Sequence, residues 1–157
     1  MVAKNHGIDL DEAVAKNAVA PMRSLPPHPD VVPALERLRD ANYRLLALTN
    51  SSDAAVADQL KNAGLDKLFE AALSVEGVGL YKPHAHVYRW AARRAGVDVS
   101  ECLLVAAHGW DVAGATWAGM RSAFVGRPGQ QQFPLGPRPE LVVATLNELA
   151  DQLTTLA

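Results

Sequence analysis

Residues 43–52 read YRLLALTNSS. Leu45, Leu46, Ala47 and Leu48 form a short uninterrupted apolar run that stops at four small polar residues, Thr49, Asn50, Ser51 and Ser52. A run of this length bounded by turn residues predicts a strand over 43–49 buried on both faces, hence parallel and covered by helices. The next stretch, 53–63, is patterned as a helix, with Val56 and Leu60 one turn apart. The polar residues therefore fall at the carboxyl end of a parallel strand and at the mouth of a helix. Ligands bind at such strand ends in open α/β sheets, and the outward backbone N–H groups there suit anions.

Working outward, 30–40 predicts a helix with Val31, Leu35 and Leu38 on one face, feeding this strand. Before it, SLPPHPDVVP (24–33) holds four prolines and reads as a connector, neither regular helix nor central strand. Residues 1–25 are alanine-rich and helical in pattern, with Asp9 or Asp11 as the cap. Downstream, short strands are expected at 72–75, 102–106, 121–125 and 141–143, with helices at 84–95, 111–119 and 145–156 between and after them. Of these, 102–106 reads as strongly buried. Gly96 stops one helix, and 127–139, rich in Gly, Pro and Gln, reads as a surface loop. Strands alternating with helices give a parallel α/β sheet.

Length and composition fit one domain with a sizeable core: 157 residues, 49% apolar, net charge −2. No basic stripe points to nucleic acid. No apolar stretch nears the ~20 residues needed to span a bilayer, and no signal-peptide pattern opens the sequence, so a cytoplasmic location is expected. The single cysteine, Cys102, excludes a disulfide within the chain and reads as buried packing.

Three polar features fall at predicted strand ends: Thr49-Asn50-Ser51, Lys82 and Asp111. From Asn50 to Lys82 is 32 residues and from Lys82 to Asp111 is 29, about one βαβ unit each, which sets them side by side along one sheet edge. Alone, each has a plain reading: helix-capping chemistry, a solvated loop lysine, a first-turn acid. Their order and spacing favour a shared site.

The series resembles the haloacid dehalogenase superfamily, and within it the type II, L-2-haloacid dehalogenases. The resemblance is carried by LLALTNSSDAAVADQLKNAGL, GLYKPHAHVYRWAARRAGV and LLVAAHGWDVAGATWAGM. Thr49-Asn50 matches the family's second motif and Lys82-Pro83 its lysine motif. Tyr88 lies at the dehalogenase branch's tyrosine, and Trp110-Asp111 at its last acidic motif. The resemblance implies a Rossmannoid three-layer α/β/α parallel sheet, with 1–25 a remnant of a helical cap and 26–157 an incomplete core. It implies hydrolytic cleavage of the carbon–halogen bond of short 2-haloalkanoic acids through an aspartyl ester, without cofactor or metal. Lys82 would be the fixed cation beside the nucleophile, and Asp111 would anchor Lys82 and orient water. Thr49 and Asn50 would hold the substrate carboxylate, and Tyr88 would seat the lysine or the substrate. Where known relatives carry Ser-Ser-Asn, this chain has Ala106-Ala107-His108. His108 and Trp110 are therefore expected at the substrate pocket, where His108 would donate to a carboxylate or a leaving halide.

Two alternatives stay open. Phosphatases of the superfamily carry a second aspartate four residues before the Asp111 position, as a magnesium ligand. Ala107 stands there, and one carboxylate is a poor magnesium site. The other alternative is a non-catalytic binding or partner subunit. It is motivated by an absence: no segment matches the family's first strand, which carries the nucleophilic aspartate, and Asp9 and Asp11 read as helix-start acids. In the family that strand lies between those at 43–49 and 102–106. Without it, partnering, homodimerisation or strand exchange, or direct pairing of those two strands at reduced stability, is expected.

Overall fold

The computed structural model describes residues 5–155; the expected start of the cap remnant and the end of the last helix fall outside them. Helix α1 (Glu12–Val19) begins at Asp11, whose carboxylate accepts from the Ala13 and Val14 amides, and runs into a 3-10 turn, Ala20–Arg23. That turn is tied to the body by polar contacts: Arg23 pairs with Asp58, and Gln59 and Asn62 donate to the Met22 and Arg23 carbonyls. The apolar residues of the helix and the turn stay exposed, Val14, Val19 and Met22 among them.

The connector is shorter than its prolines suggest. Helix α2 (Val31–Asp40) starts before Pro33, which sits in the first turn, where a missing N–H costs nothing. Its buried face is Ala34 and Leu38; Val31 and Leu35 are only half-buried. Then follow β1 (Leu46–Thr49), α3 (Asp53–Asn62), β2 (Ala71–Ser74), α4 (Ala85–Ala95) and β3 (Leu103–Ala106). The chain closes with α5 (Gly109–Ala118), β4 (Arg121–Val125), β5 (Leu141–Val143) and α6 (Leu146–Thr155). Gly96 and Gly119 end α4 and α5 in the left-handed conformation, at φ 72° and 103°.

All strand pairs are parallel, yet the strands form two ladders. β1 pairs with β2, Leu46 opposite Ala71. β3 pairs with β4 and β4 with β5, Leu103 opposite Arg121 and Ala123 opposite Leu141. No ladder joins β1 to β3. Direct pairing of these strands, one of the outcomes left open above, is not what the chain adopts. A slot of about 410 Å³ separates them, walled by Leu46, Leu48, Leu103, Leu104 and Val105.

The slot explains where burial falls short. β4, flanked on both sides, is buried from Ser122 to Val125. β1 is half-buried throughout, and Val105 of β3 is 36% exposed. Strands expected to be fully covered lack one neighbour each. Cys102 is also half-buried at the slot, not sealed in the core; burial pushes its thiol up, with Glu101 and Asp98 adding to the effect.

Two apolar clusters hold the layers. One joins α2 and α6 to β4 and β5 through Leu38, Ala123, Val125, Leu149 and Leu153. The other joins β2, α4 and α5 through Leu73, Tyr88, Ala91, Ala92 and Ala115.

Candidate active site

The site is assembled at the carboxyl ends of β1 and β3. The β1 run ends at Thr49, whose hydroxyl accepts from the Ser51 amide at 3.0 Å and turns the chain into α3. Ser52 caps α3 through the Ala55 amide, and Glu76 accepts from the Asp53 amide, so two donors of the helix start are already used. Ser74, buried at the end of β2, donates to the Ser51 carbonyl at 2.7 Å and fixes the turn from the other strand.

Asn50 reaches across to the loop carrying Lys82. The Lys82 amide donates to Asn50 Oδ1 at 2.9 Å, and Asn50 Nδ2 donates to the Lys82 carbonyl at 3.2 Å. This two-point clamp mimics a strand pairing and fixes the lysine backbone. The Lys82–Pro83 peptide is cis.

Lys82 then points inward. Nζ donates to Asp111 Oδ2 at 2.6 Å and to the Leu48 carbonyl at 2.9 Å. The two side chains are 10% and 6% exposed, so this ion pair is shielded from water and salt. An ammonium has three donors; two are committed here. Asp111 sits in the first turn of α5, where the helix dipole favours a negative charge. Its other oxygen, Oδ1, accepts from Tyr88 Oη at 2.7 Å. Tyr88 is fully buried, and burial, reinforced by the adjacent Asp111 carboxylate, pushes its phenol well above the ordinary range. It therefore serves as a neutral donor to Asp111 and makes no bond to Lys82.

Gly114 lets this packing close. A Cβ there would lie 2.6 Å from Pro83 Cβ and 2.8 Å from Tyr88 Oη. At the mouth, His108 precedes α5 without a side-chain cap bond, and its ring lies 5.7 Å from that of Trp110. Both side chains are exposed.

The structure thus brings Asn50, Lys82, Tyr88 and Asp111 into one bonded chain, with Thr49 shaping the turn and His108 and Trp110 at the rim. The sequence alone did not reveal the Leu48 carbonyl, the clamping use of Asn50, or Ser74; backbone acceptors and cross-strand hydroxyls leave no pattern of their own. Among the described residues, no three His, Cys, Asp or Glu side chains converge as a metal-ligand set. No helix among them is long and apolar enough to cross a membrane.

The chain is similar to known proteins. The chain is 31% identical over 142 residues to haloacetate dehalogenase H-2 of Moraxella sp. (strain B), covering 90% of this chain and 63% of that protein. It is 30% identical over 151 residues to an (S)-2-haloacid dehalogenase of Pseudomonas sp. (strain YL), covering 96% of this chain and 65% of that one. The chain thus spans less than two thirds of the length of these two relatives. The solved L-2-haloacid dehalogenase of Xanthobacter autotrophicus with chloropropionic acid covalently bound superposes with a TM-score of 0.89 at 25% identity, over 98% of this chain and 71% of that one. Residues 3–119 match the family model for haloacid dehalogenase-like hydrolases, and the chain belongs to that family.

Proposed function

We propose that these residues form the lysine–aspartate half of a 2-haloacid dehalogenase, acting on short 2-haloalkanoic acids. The observation that carries the reading is the shielded Lys82–Asp111 pair, held at the carbonyl of Leu48, a residue that walls the slot. A carboxylate placed there would meet the third Lys82 donor and stay ionised beside a fixed cation.

The chemistry needs an aspartate from outside these 157 residues. Its oxygen attacks the carbon bearing the halogen, forming a C–O bond as the carbon–halogen bond breaks and halide departs. Water then attacks the carbonyl of the aspartyl ester, releasing a 2-hydroxy acid and a proton and restoring the carboxylate. Lys82 offsets the nucleophile's charge in the first step. Asp111, held by Tyr88, keeps Lys82 in place and orients the water. The Thr49 and Asn50 turn offers backbone amides to the substrate carboxylate. His108 and Trp110 shape the mouth, and His108 can donate to a carboxylate or to the departing halide. Residues 1–25 would be what this chain keeps of a helical cap over that mouth.

The test is halide release from 2-chloropropionate by this chain joined to an upstream strand bearing the aspartate. Release is expected, and Lys82→Met should lower the rate by about 10²–10³, the usual cost of losing one charge-stabilising donor. Absence of halide at any enzyme concentration, in a folded protein, overturns the reading. Magnesium-dependent turnover of a phosphate ester would replace it with a phosphatase.

A further inference from the structure

A second cavity, of about 240 Å³, lies between α5 and the loop that follows β4. Its buried side is made by Val112 and Ala113 of α5 and Phe124 of β4, each no more than 4% exposed. Its outer side is made by Phe133 with Pro134, Pro137 and Pro139. None of Asn50, Lys82, Tyr88 and Asp111 lines it. The loop is seated firmly on the helix. A Cβ on Gly109 would collide with the Gln131 carbonyl and the Phe133 amide, and one on Gly136 would lie 2.9 Å from the Ala113 Cβ. The Gly136 amide donates to the Phe133 carbonyl at 3.0 Å, and the Glu140 amide donates to the Ser122 carbonyl at 2.9 Å. Between these anchors the prolines fix φ. A cavity framed in this way needs little ordering when it is filled.

Charge selects the occupant. Arg138 is the one charged residue that lines the cavity, and it has no hydrogen bond or ion pair among the described residues. The other two guanidiniums of this stretch are already paired. Arg121 donates twice to Glu140, at 2.8 and 2.6 Å, and Arg127 donates to both oxygens of Asp30. Glu140, two residues beyond Arg138, is therefore committed elsewhere, and no acid lines the cavity. A guanidinium meets a carboxylate in a fork of two bonds and stacks on flat rings. Size sets the rest, since about 240 Å³ takes one ring and its carboxylate. An inorganic anion would leave the rings and prolines unused.

We propose that this cavity binds a monocarboxylate carrying one aromatic ring. The ring lies among Phe124, Phe133 and the prolines, and the carboxylate is held by Arg138. The site is separate from the lysine–aspartate site and stands whether or not that site acts on 2-haloacids.

The probe is benzoate, titrated at constant ionic strength into the isotope-labelled 157-residue chain and followed by amide chemical shifts. Saturable shifts are expected at residues 109–113, 124 and 132–139, with a Kd on the order of 1 mM. Benzamide keeps the ring and loses the charge; acetate keeps the charge and loses the ring. Each should bind at least about tenfold more weakly than benzoate. Arg138 is exposed and has no partner to lose, so Arg138→Gln should keep the dispersed spectrum of the folded chain. It should weaken benzoate on the order of tenfold and leave benzamide unchanged. The absence of saturable shifts up to about twenty times the expected Kd overturns the proposal. So does benzamide or acetate binding as tightly as benzoate, or an Arg138→Gln chain that binds benzoate as the parent does. Shifts centred on Leu46, Leu48 and Leu103 would move the ligand to the slot and overturn it as well.

Discussion

Replacing Asp111 with alanine is expected to lower the free energy of unfolding by about 3–5 kcal/mol, the cost of removing one member of a buried ion pair. Asp111 is 4% exposed and its two oxygens serve two donors, Lys82 and Tyr88. Truncation leaves an ammonium with only the Leu48 carbonyl, and a buried phenol with only the Asp111 backbone carbonyl, at 3.2 Å. The midpoint of urea unfolding measures the loss, with the slope unchanged if both states keep their compactness. Tyr88→Phe removes one bond to a charged acceptor and should cost about 1.5–3 kcal/mol. The pairing of Lys82→Met with Asp111→Leu should recover part of the loss, since two apolar side chains leave no orphaned charge. A midpoint for Asp111→Ala equal to that of the parent chain would show that water reaches the pair.

The second large effect lies far from the site, at Asp30. Its side chain does not cap the helix it precedes. It turns to the far end of the chain instead, where both oxygens accept from Arg127, at 2.9 and 2.8 Å, and Oδ2 also accepts from the Leu146 amide at 2.7 Å. One carboxylate thus joins the start of α2, the loop after β4 and the first turn of α6. The Asp30 and Arg127 side chains are 10% and 16% exposed, so Asp30→Ala should cost about 3–5 kcal/mol. Burial works to raise the Asp30 carboxyl, and the bonds from Arg127 and Leu146 outweigh it, leaving it below the ordinary carboxylate range. A carboxyl lowered by folding contributes stability that is fully present above its unfolded value, about 4. That contribution fades as pH falls through the folded value. Stability measured from pH 6 down to pH 2 should therefore drop less steeply in Asp30→Asn than in the parent. Parallel curves would remove Asp30 from the acid response.

Sequence reasoning located the strands and the site where local chemistry decides the outcome. Strands β4 and β5 fall where their apolar runs end, and Gly96 and Gly119 mark their helix ends because the left-handed conformation asks for glycine. Lys82 and Asp111 were legible as neighbours because successive βαβ crossovers place strand ends side by side. Partners set only by tertiary closure were not. Asp30 read only as the first residue of a helix, and it serves another helix more than a hundred residues away. Asn50 looked like a substrate ligand, yet its side chain is spent on the Lys82 backbone. Burial was overestimated at β1 and β3 because an apolar run reports what a strand is suited to face, not whether the neighbour is there.

The two-ladder arrangement also shapes how the backbone breathes. Amides on the paired side of β1 and β3 are locked, while those of Leu46, Leu48, Leu103 and Val105 open onto the slot. Hydrogen exchange should therefore alternate residue by residue along these two strands, slow then fast, where β4 is protected throughout. The β1–β2 unit shares no ladder with β4, so it can open on its own while the β3–β5 unit stays closed. Two ladders leaning on shared helices are expected to behave as two foldons, with the least stable seam along the edge that carries the candidate site.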